Sequence, residues 1–515
     1  MKKETYCFCL LAVLTSITAC KKQEIATGGD NTSTQSATEA ISTASDIINN
    51  DEDFVENTTF SDQVITIVYD GSSATVTNPW EGNGVEISNT NGNIVCTATA
   101  DERIEYRISG SGTGSVKIYT EKKVKLSLNN LTLSNSNGPA INLQGKKRQF
   151  IVLIGTNTLT GKGYDTADGE EQTKAALFGE GQLIFSGDGS LTVTTTGKHG
   201  IASDDYVRIC NGDISINASA SSACADGIHT NDGFIMDGGT LGITAYDEAI
   251  QAGDDDDAGY CYVVGGEIEV TANNGDGIKS YGPMIIYNST VQVTAQKNEG
   301  LESKTQILIN GGQLEITAYD DGINAASLLT INGGWVYAQS ANNDAIDSNG
   351  DIIINGGVIV AVGSRDPETA FDVDEGTLTI TSGTLLGVSS NNNMFVCPST
   401  SSTQYSVWTT ATAGTTYNLA NSTYTDAMNF QLPSTSYSPK ILISSPNITS
   451  GSNTLTSGVS IAGGTNWHGL YIGATHSGAG SSSTVSASLG TASSQGGSPG
   501  GGPGGGPGGD HGGRP

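Results

Sequence analysis

Six acidic residues recur in this chain, each followed by Gly or Ala and then by an aliphatic residue. They are Asp226, Glu248, Asp276, Glu299, Asp321 and Asp344, with successive members 22, 28, 23, 22 and 23 residues apart. Three positions after each stands a second series: His229, Gln251, Lys279, Glu302, Asn324 and Asp347, continued after a looser gap by Asp372. In the last three repeats both series offer only carboxylate and amide oxygens. Glu299, Glu302, Asp321, Asn324, Asp344 and Asp347 are therefore a donor set suited to a hard divalent cation, calcium above all, which takes about six to eight oxygens. Acids of this kind can also simply cap turn amides.

The spacing says what must position these residues. A period of about 20–30 residues means stacked structural repeats. Within each repeat the apolar positions alternate, as in Ile307, Ile309, Leu314 and Ile316, then Leu329, Ile331, Val336 and Ala338, then Ile352, Ile354, Ile359 and Ala361. Alternation puts each set on one face of a strand, and no repeat carries the stripe of an amphipathic helix. Two or three short strands per repeat, coiled so that each turn bonds the next, make an all-β fold: a single-stranded right-handed parallel β-helix. Its hand is expected from strand twist. Asn310, Asn332 and Asn355 fall at one turn of three successive repeats, where their amides can bond to one another.

Stacking sets equivalent acids about 4.8 Å apart. Two unit charges about 4 Å apart repel by about 1 kcal/mol in water and about 4 kcal/mol at an effective dielectric of about 20. The column needs neutralising, by a cation at one end and by Lys279 as an internal counter-ion lower down. The run Asp254–Asp257 in the longest repeat is either a second cation loop or a solvated one.

Composition narrows the function. The formal net charge is −30, and residues 199–375 hold 28 Asp and Glu against five Lys and Arg. That balance excludes nucleic acid and anionic lipid as direct partners. Residues 1–20 read as a signal ending in Ile17-Thr18-Ala19-Cys20, which resembles a bacterial lipobox and would leave Cys20 lipidated. The apolar run is too short to span a membrane. The expected organisation is a flexible Ser/Thr/Asn-rich tether over 21–60, a β-helix over 61–390 with N-terminal cap strands, a small β-rich cap over 391–490, and a Gly/Pro-rich tail over 491–515 without a core. The five cysteines beyond the signal, Cys96, Cys210, Cys224, Cys261 and Cys397, fit no zinc spacing and read as small core residues.

The segments Glu299-Gly-Leu-Glu-Ser-Lys304, Asp320-Asp-Gly-Ile-Asn-Ala325 and Asp344-Ala-Ile-Asp-Ser348 resemble a family of secreted bacterial β-helix carbohydrate-binding domains. So do Lys174-Ala-Ala-Leu-Phe178 and Gly187-Asp-Gly-Ser-Leu-Thr-Val193, and the similarity runs over about 62–445. The resemblance implies a pectate-lyase-like shape, bound calcium and affinity for cellulose or polygalacturonate. Its calcium candidates here are Glu299, Glu302, Asp321 and Asp344, then Asn324 and Asp347. The match at Asp226 and His229 is poorer, because His is no ligand for a hard cation.

Two other features bear on the ligand. Trp335 and Tyr337 flank an inward Val336, and Tyr246 and Tyr319 occupy equivalent turns beside the acids, so these four rings could form a sugar platform. Lys279 and Lys304 are the candidate bases of a lyase, in which calcium acidifies a uronate α-proton. Basic residues are nonetheless scarce in the repeats, and the Gly-His-Gly and Arg-x-Lys companions of polygalacturonases are absent, Lys198-His199-Gly200 being a partial echo. The sequence reads best as a monomeric, non-catalytic, calcium-containing polysaccharide-binding protein, lipid-anchored on the extracytoplasmic side of the envelope. A calcium-dependent polysaccharide lyase and an adhesive or structural surface protein are the alternatives.

Overall fold

A computed structural model describes residues 44–164, 171–221 and 224–491. Cys20, the signal segment, most of the expected tether and the tail from 492 lie outside the described residues.

The body is a parallel β-solenoid of about 12 turns, nearly all β. One turn is Ile228–Thr230, Gly233–Met236 and Thr240–Ala245; each strand bonds in parallel to its counterpart one repeat on, Ile250–Ala252, Tyr260–Val263 and Glu267–Ala272. The short strands build a 13-stranded sheet and the other two series a 26-stranded one. The alternating aliphatics fill the interior: Ile307, Ile309, Leu314, Ile316, Ile323, Leu329, Ile331, Val336, Ile352, Ile354 and Ile359 are all buried in one continuous core. The asparagine ladder forms as expected, Asn332 Nδ2 donating to Asn310 Oδ1 at 2.8 Å and Asn355 Nδ2 to Asn332 Oδ1 at 2.9 Å.

Antiparallel pairs are added at both ends of the 26-stranded sheet and at the N-terminal end of the 13-stranded one, covering the strand edges there. At the N-terminal end Ile65–Gly71 pairs with Ser73–Thr77, and Val85–Thr90 with Asn93–Ala98. At the other end Thr384–Ser390 pairs antiparallel with Pro439–Ser444, and a six-stranded antiparallel sheet follows. Among the five cysteines, Cys96, Cys210 and Cys261 are buried, whereas Cys224 is exposed and Cys397 partly so; none is disulfide-bonded.

The expected tether needs correction from Ala44 onward. Residues 44–60 lie along the outside of the solenoid. Outward residues Phe150, Ile184, Arg208, Ile235, Tyr262, Ile285 and Leu308 stack in register on seven successive strands. Ala44 and Ile48 bury against Tyr262, Val264, Ile285 and Leu308, and Phe54 against Phe150 and Ile184. Arg208, 0% exposed, fastens the middle. It donates to Ile48 O at 2.6 Å and to Asp53 Oδ2 at 2.9 Å, and it grips Asp237 with two nitrogens at 2.7 and 3.0 Å. Asp53 also accepts from Arg148 Nε at 2.7 Å and from the Tyr206 hydroxyl at 2.6 Å. A flexible segment could not satisfy a buried guanidinium; this one supplies three of its acceptors, Ile47 O, Ile48 O and Asp53 Oδ2.

Candidate functional site

The acidic series lies along the edge where each turn enters its short strand. The two columns stack in the expected order: His229 opposite Gln251, then Lys279, Glu302, Asn324, Asp347 and Asp372. After Asp276 only Gly fits, because a Cβ at Gly277 would meet Val293 Cγ1 at 2.1 Å and Gly300 O at 2.5 Å; Ala249 and Ala345 fill the equivalent position in other repeats.

In the first column the aspartates tie one rung to the next. Asp276 Oδ1 accepts from the Glu299 amide at 3.2 Å, and Asp321 Oδ1 from the Asp344 amide at 2.9 Å. Asp344 Oδ1 accepts from the Thr369 amide, and from the Thr369 hydroxyl at 3.1 Å. On Asp276 this cap coexists with charge neutralisation by Lys279.

The neutralisation divides the edge into segments. Lys279 Nζ sits 2.9 Å from Asp276 Oδ2 and 2.8 Å from Glu302 Oε2, and Lys304 pairs with the other Glu302 oxygen. Burial pushes the Asp276 carboxyl up, but Lys279 pulls it further down, to a net value below the usual range. Lys279, pushed down by burial, is raised overall by Asp276 and Glu302. A lysine so held is a poor general base, since its proton is stabilised by two carboxylates.

Beyond Glu302 the compensation stops. Burial together with Asp347 raises Asp321 to about 8; burial with Asp372 raises Asp344 to about 8; burial with Asp344 and Asp372 raises Asp347 to about 8. Glu299 rises to about 9, from burial and its contact with Asp276. Asn324 Nδ2 donates to Asp321 Oδ2 at 3.1 Å, while Asp347 Oδ1 is buried without a hydrogen-bond partner.

This corrects the expected calcium set. Glu302 belongs to the lysine-neutralised segment, so Glu299, Glu302, Asp321 and Asp344 do not surround one vacant centre. Among the described residues no three of the acids Glu299, Glu302, Asp321, Asp344 and Asp347 bring ligand oxygens within 4.8 Å of one another. The oxygen-rich end Asp321, Asn324, Asp344, Asp347, with Asp372 beside it, fits a hard cation in donor type and in its orphaned carboxylate oxygen.

The aromatic expectation is corrected more sharply. Trp335 and Tyr337 do point out of the solenoid, but the C-terminal sheet covers them. Trp335 meets Trp467 edge-on with ring centroids 5.6 Å apart, and Tyr337 stacks on His468 at 3.7 Å. Trp467 Nε1 donates to Val336 O at 3.3 Å. Both rings are partly buried and pack against the core of this interface rather than forming a free platform. Tyr319, 42% exposed with Lys297 over its ring, stays open beside the acids, and Tyr246 is half-buried in the equivalent turn. The short loop Asp254–Asp257 is held by its own first residue, Asp254 Oδ1 accepting from the Asp256 and Asp257 amides at 2.8 and 3.0 Å.

No curated protein matches the chain. One solved structure is similar, "Structure of the polysaccharide lyase-like protein from C. thermocellum, Gadolinium derivative", at 21% identity and a TM-score of 0.39, over 49% of this chain and 96% of that one. Residues 90–344, which include both acidic columns up to Asp344, match the family model described as "Carbohydrate-binding domain-containing protein", and this supports carbohydrate binding by the solenoid.

Proposed function

We propose that the solenoid binds an acidic polysaccharide of the polygalacturonate type through calcium held at the Asp321–Asp372 end of its acidic edge, without transforming it. The observation that carries this reading is the family match over 90–344, which takes in the acidic repeats as far as Asp344. Charge supports the ligand class. An edge of uncompensated carboxylates repels a uronate, and a bridging divalent cation reverses that sign. Asp321, Asn324, Asp344 and Asp347 would hold the ion, which would supply the positive charge that a uronate carboxylate meets. Burial of Trp335 and Tyr337 weighs against a neutral glucan held by stacking, which leaves Tyr319 and Tyr246 as the rings beside the edge. The chain would be tethered outside the cell through lipidated Cys20.

Retention on immobilised polygalacturonate and on cellulose tests this, with calcium and with chelator. The expected outcome is calcium-dependent retention on polygalacturonate, weakened by Asp347→Asn. Chelator-insensitive retention on cellulose alone would overturn the ligand class. Release of unsaturated uronides would favour the lyase alternative, for which Lys279 and Lys304 are the bases to substitute.

A further inference from the structure

At the opposite end of the same edge the chemistry changes from oxygen to nitrogen. His199 stands in the first column one rung before Asp226, and Gly200 N donates to Asp226 O at 3.0 Å. His229 stands in the second column on the rung of Asp226, directly above Ala202. The two imidazoles stack with centroids 4.3 Å apart and planes 12° from parallel. Asp226 Oδ2 lies 3.1 Å from His199 Nδ1 and 2.8 Å from His229 Nδ1. All three side chains are largely enclosed, His229 being the most open at 17%.

One contact in this triad lacks a proton. The Asp226 amide donates to His199 Nδ1 at 3.1 Å, so that nitrogen presents its lone pair. The same nitrogen faces the carboxylate Oδ2 at 3.1 Å, and two acceptors at that distance repel unless a cation lies with them. His229 Nδ1 is engaged in its own contact with Oδ2 at 2.8 Å. Two further carboxylates converge on Asp226, with ligand atoms of Asp226, Asp247 and Glu248 all within 4.8 Å of one another. The Glu248 backbone carbonyl accepts from the Gly227 amide at 3.0 Å, whereas its carboxylate makes no side-chain hydrogen bond or ion pair among the described residues.

From this geometry we infer that His199, Asp226 and His229 form a site for one borderline divalent cation of the zinc class, with Glu248 as the fourth donor. Two nitrogen or oxygen ligands each about 2.0–2.1 Å from a tetrahedral ion lie roughly 3.3 Å apart. The observed Nδ1–Oδ2 separations of 2.8 and 3.1 Å are slightly shorter, and the stacked rings must splay from their near-parallel arrangement for both Nδ1 lone pairs to meet one ion. Imidazole nitrogen selects zinc, nickel or copper over calcium, whereas the far end of the edge offers oxygen alone. The bound ion pins three successive rungs, those of His199, Asp226 and Glu248.

The test uses the full, tag-free chain stripped with chelator and titrated with cobalt(II) and copper(II). Expected results are a stoichiometric cobalt visible band that excess calcium does not displace, and a copper resonance spectrum coupled to two imidazole nitrogens. His229→Gln should abolish the band, while His476→Gln, His511→Gln and Asp321→Asn keep it. Zinc should raise the melting temperature of the wild type and leave that of His229→Gln unmoved. Absence of stoichiometric cobalt, a band that survives in His229→Gln, or copper coupled to fewer than two nitrogens would overturn the site.

Discussion

Replacing Lys279 with Met retains the apolar stem and removes only the ammonium. In the folded chain that ammonium lies 2.9 Å from Asp276 and 2.8 Å from Glu302, with its side chain 15% exposed and those of the acids 0% and 7%. Breaking a buried pair by deleting one partner costs about 3–5 kcal/mol, because a charge is left uncompensated. Glu302 keeps Lys304, and Asp276 keeps the Glu299 amide, so the lower figure, about 3 kcal/mol, is expected. At about 1.4 kcal/mol per decade this is roughly a hundredfold loss of protection against amide hydrogen exchange. The amides to follow are those of Gly277 and Gly300, which bond Glu299 O and Asp321 O at 2.9 Å each. The pH dependence supplies a sign. In the wild type Asp276 titrates below its unfolded value of about 3.9, so its contribution is present at neutral pH and lost as pH falls through the folded value. In Lys279→Met the strongest lowering influence is gone, and burial, the largest cause, raises the folded value. Protection should then be greatest in acid and fall as pH rises above about 4. Protection factors within threefold of wild type at neutral pH, or an unchanged slope, would refute the assignment of Lys279 as counter-ion. The double variant Asp276→Asn/Lys279→Met should recover most of the loss.

Asp321, Asp344 and Asp347, each raised to about 8, bind protons more tightly folded than unfolded. Chelated protein should therefore lose stability as pH rises from about 4 to about 8, and calcium should flatten that slope in thermal melts. Ile323→Asp, at a fully buried position, should cost several kcal/mol, whereas exposed Gln313→Asp should be nearly silent; equal tolerance in denaturant titrations would reject the register. Trp335→Ala should loosen the C-terminal sheet, seen as faster proteolysis within 391–490, and leave polygalacturonate retention unchanged; the reverse pattern would restore the aromatic platform.

What the sequence made legible was whatever repeats. The spacing of Asp226 through Asp344 carried the architecture, and the offset of three residues placed Lys279 beside Glu302 and Asn324 beside Asp347 in the right stack. Contacts between repeating and non-repeating segments left no such trace. Trp335 reads as an exposed ring because Trp467, which covers it, lies far along the chain in a segment without periodicity. The outward column from Phe150 to Leu308 sits in runs such as Ile307-Leu308-Ile309, whose continuous apolarity was the one available sign of something lying over the strand. Side-chain wiring within the acidic edge was equally hidden: spacing aligns Glu302 with Asn324 but does not say that two lysines already hold its oxygens.

The docking of residues 44–60 also determines how the molecule carries load. Tension on the chain ahead of Ala44 enters the rod through its side wall, near Leu308, rather than at its terminal turn. A pull on an end turn would peel rungs one after another, each at the expense of only its own ladder of hydrogen bonds. A pull through the side must instead shear the Ile48 and Phe54 contacts and the Arg208 clasp together before any rung feels it. Load applied through the chain ahead of Ala44 would thus meet the solenoid at its flank, and the acidic edge would be shielded from it.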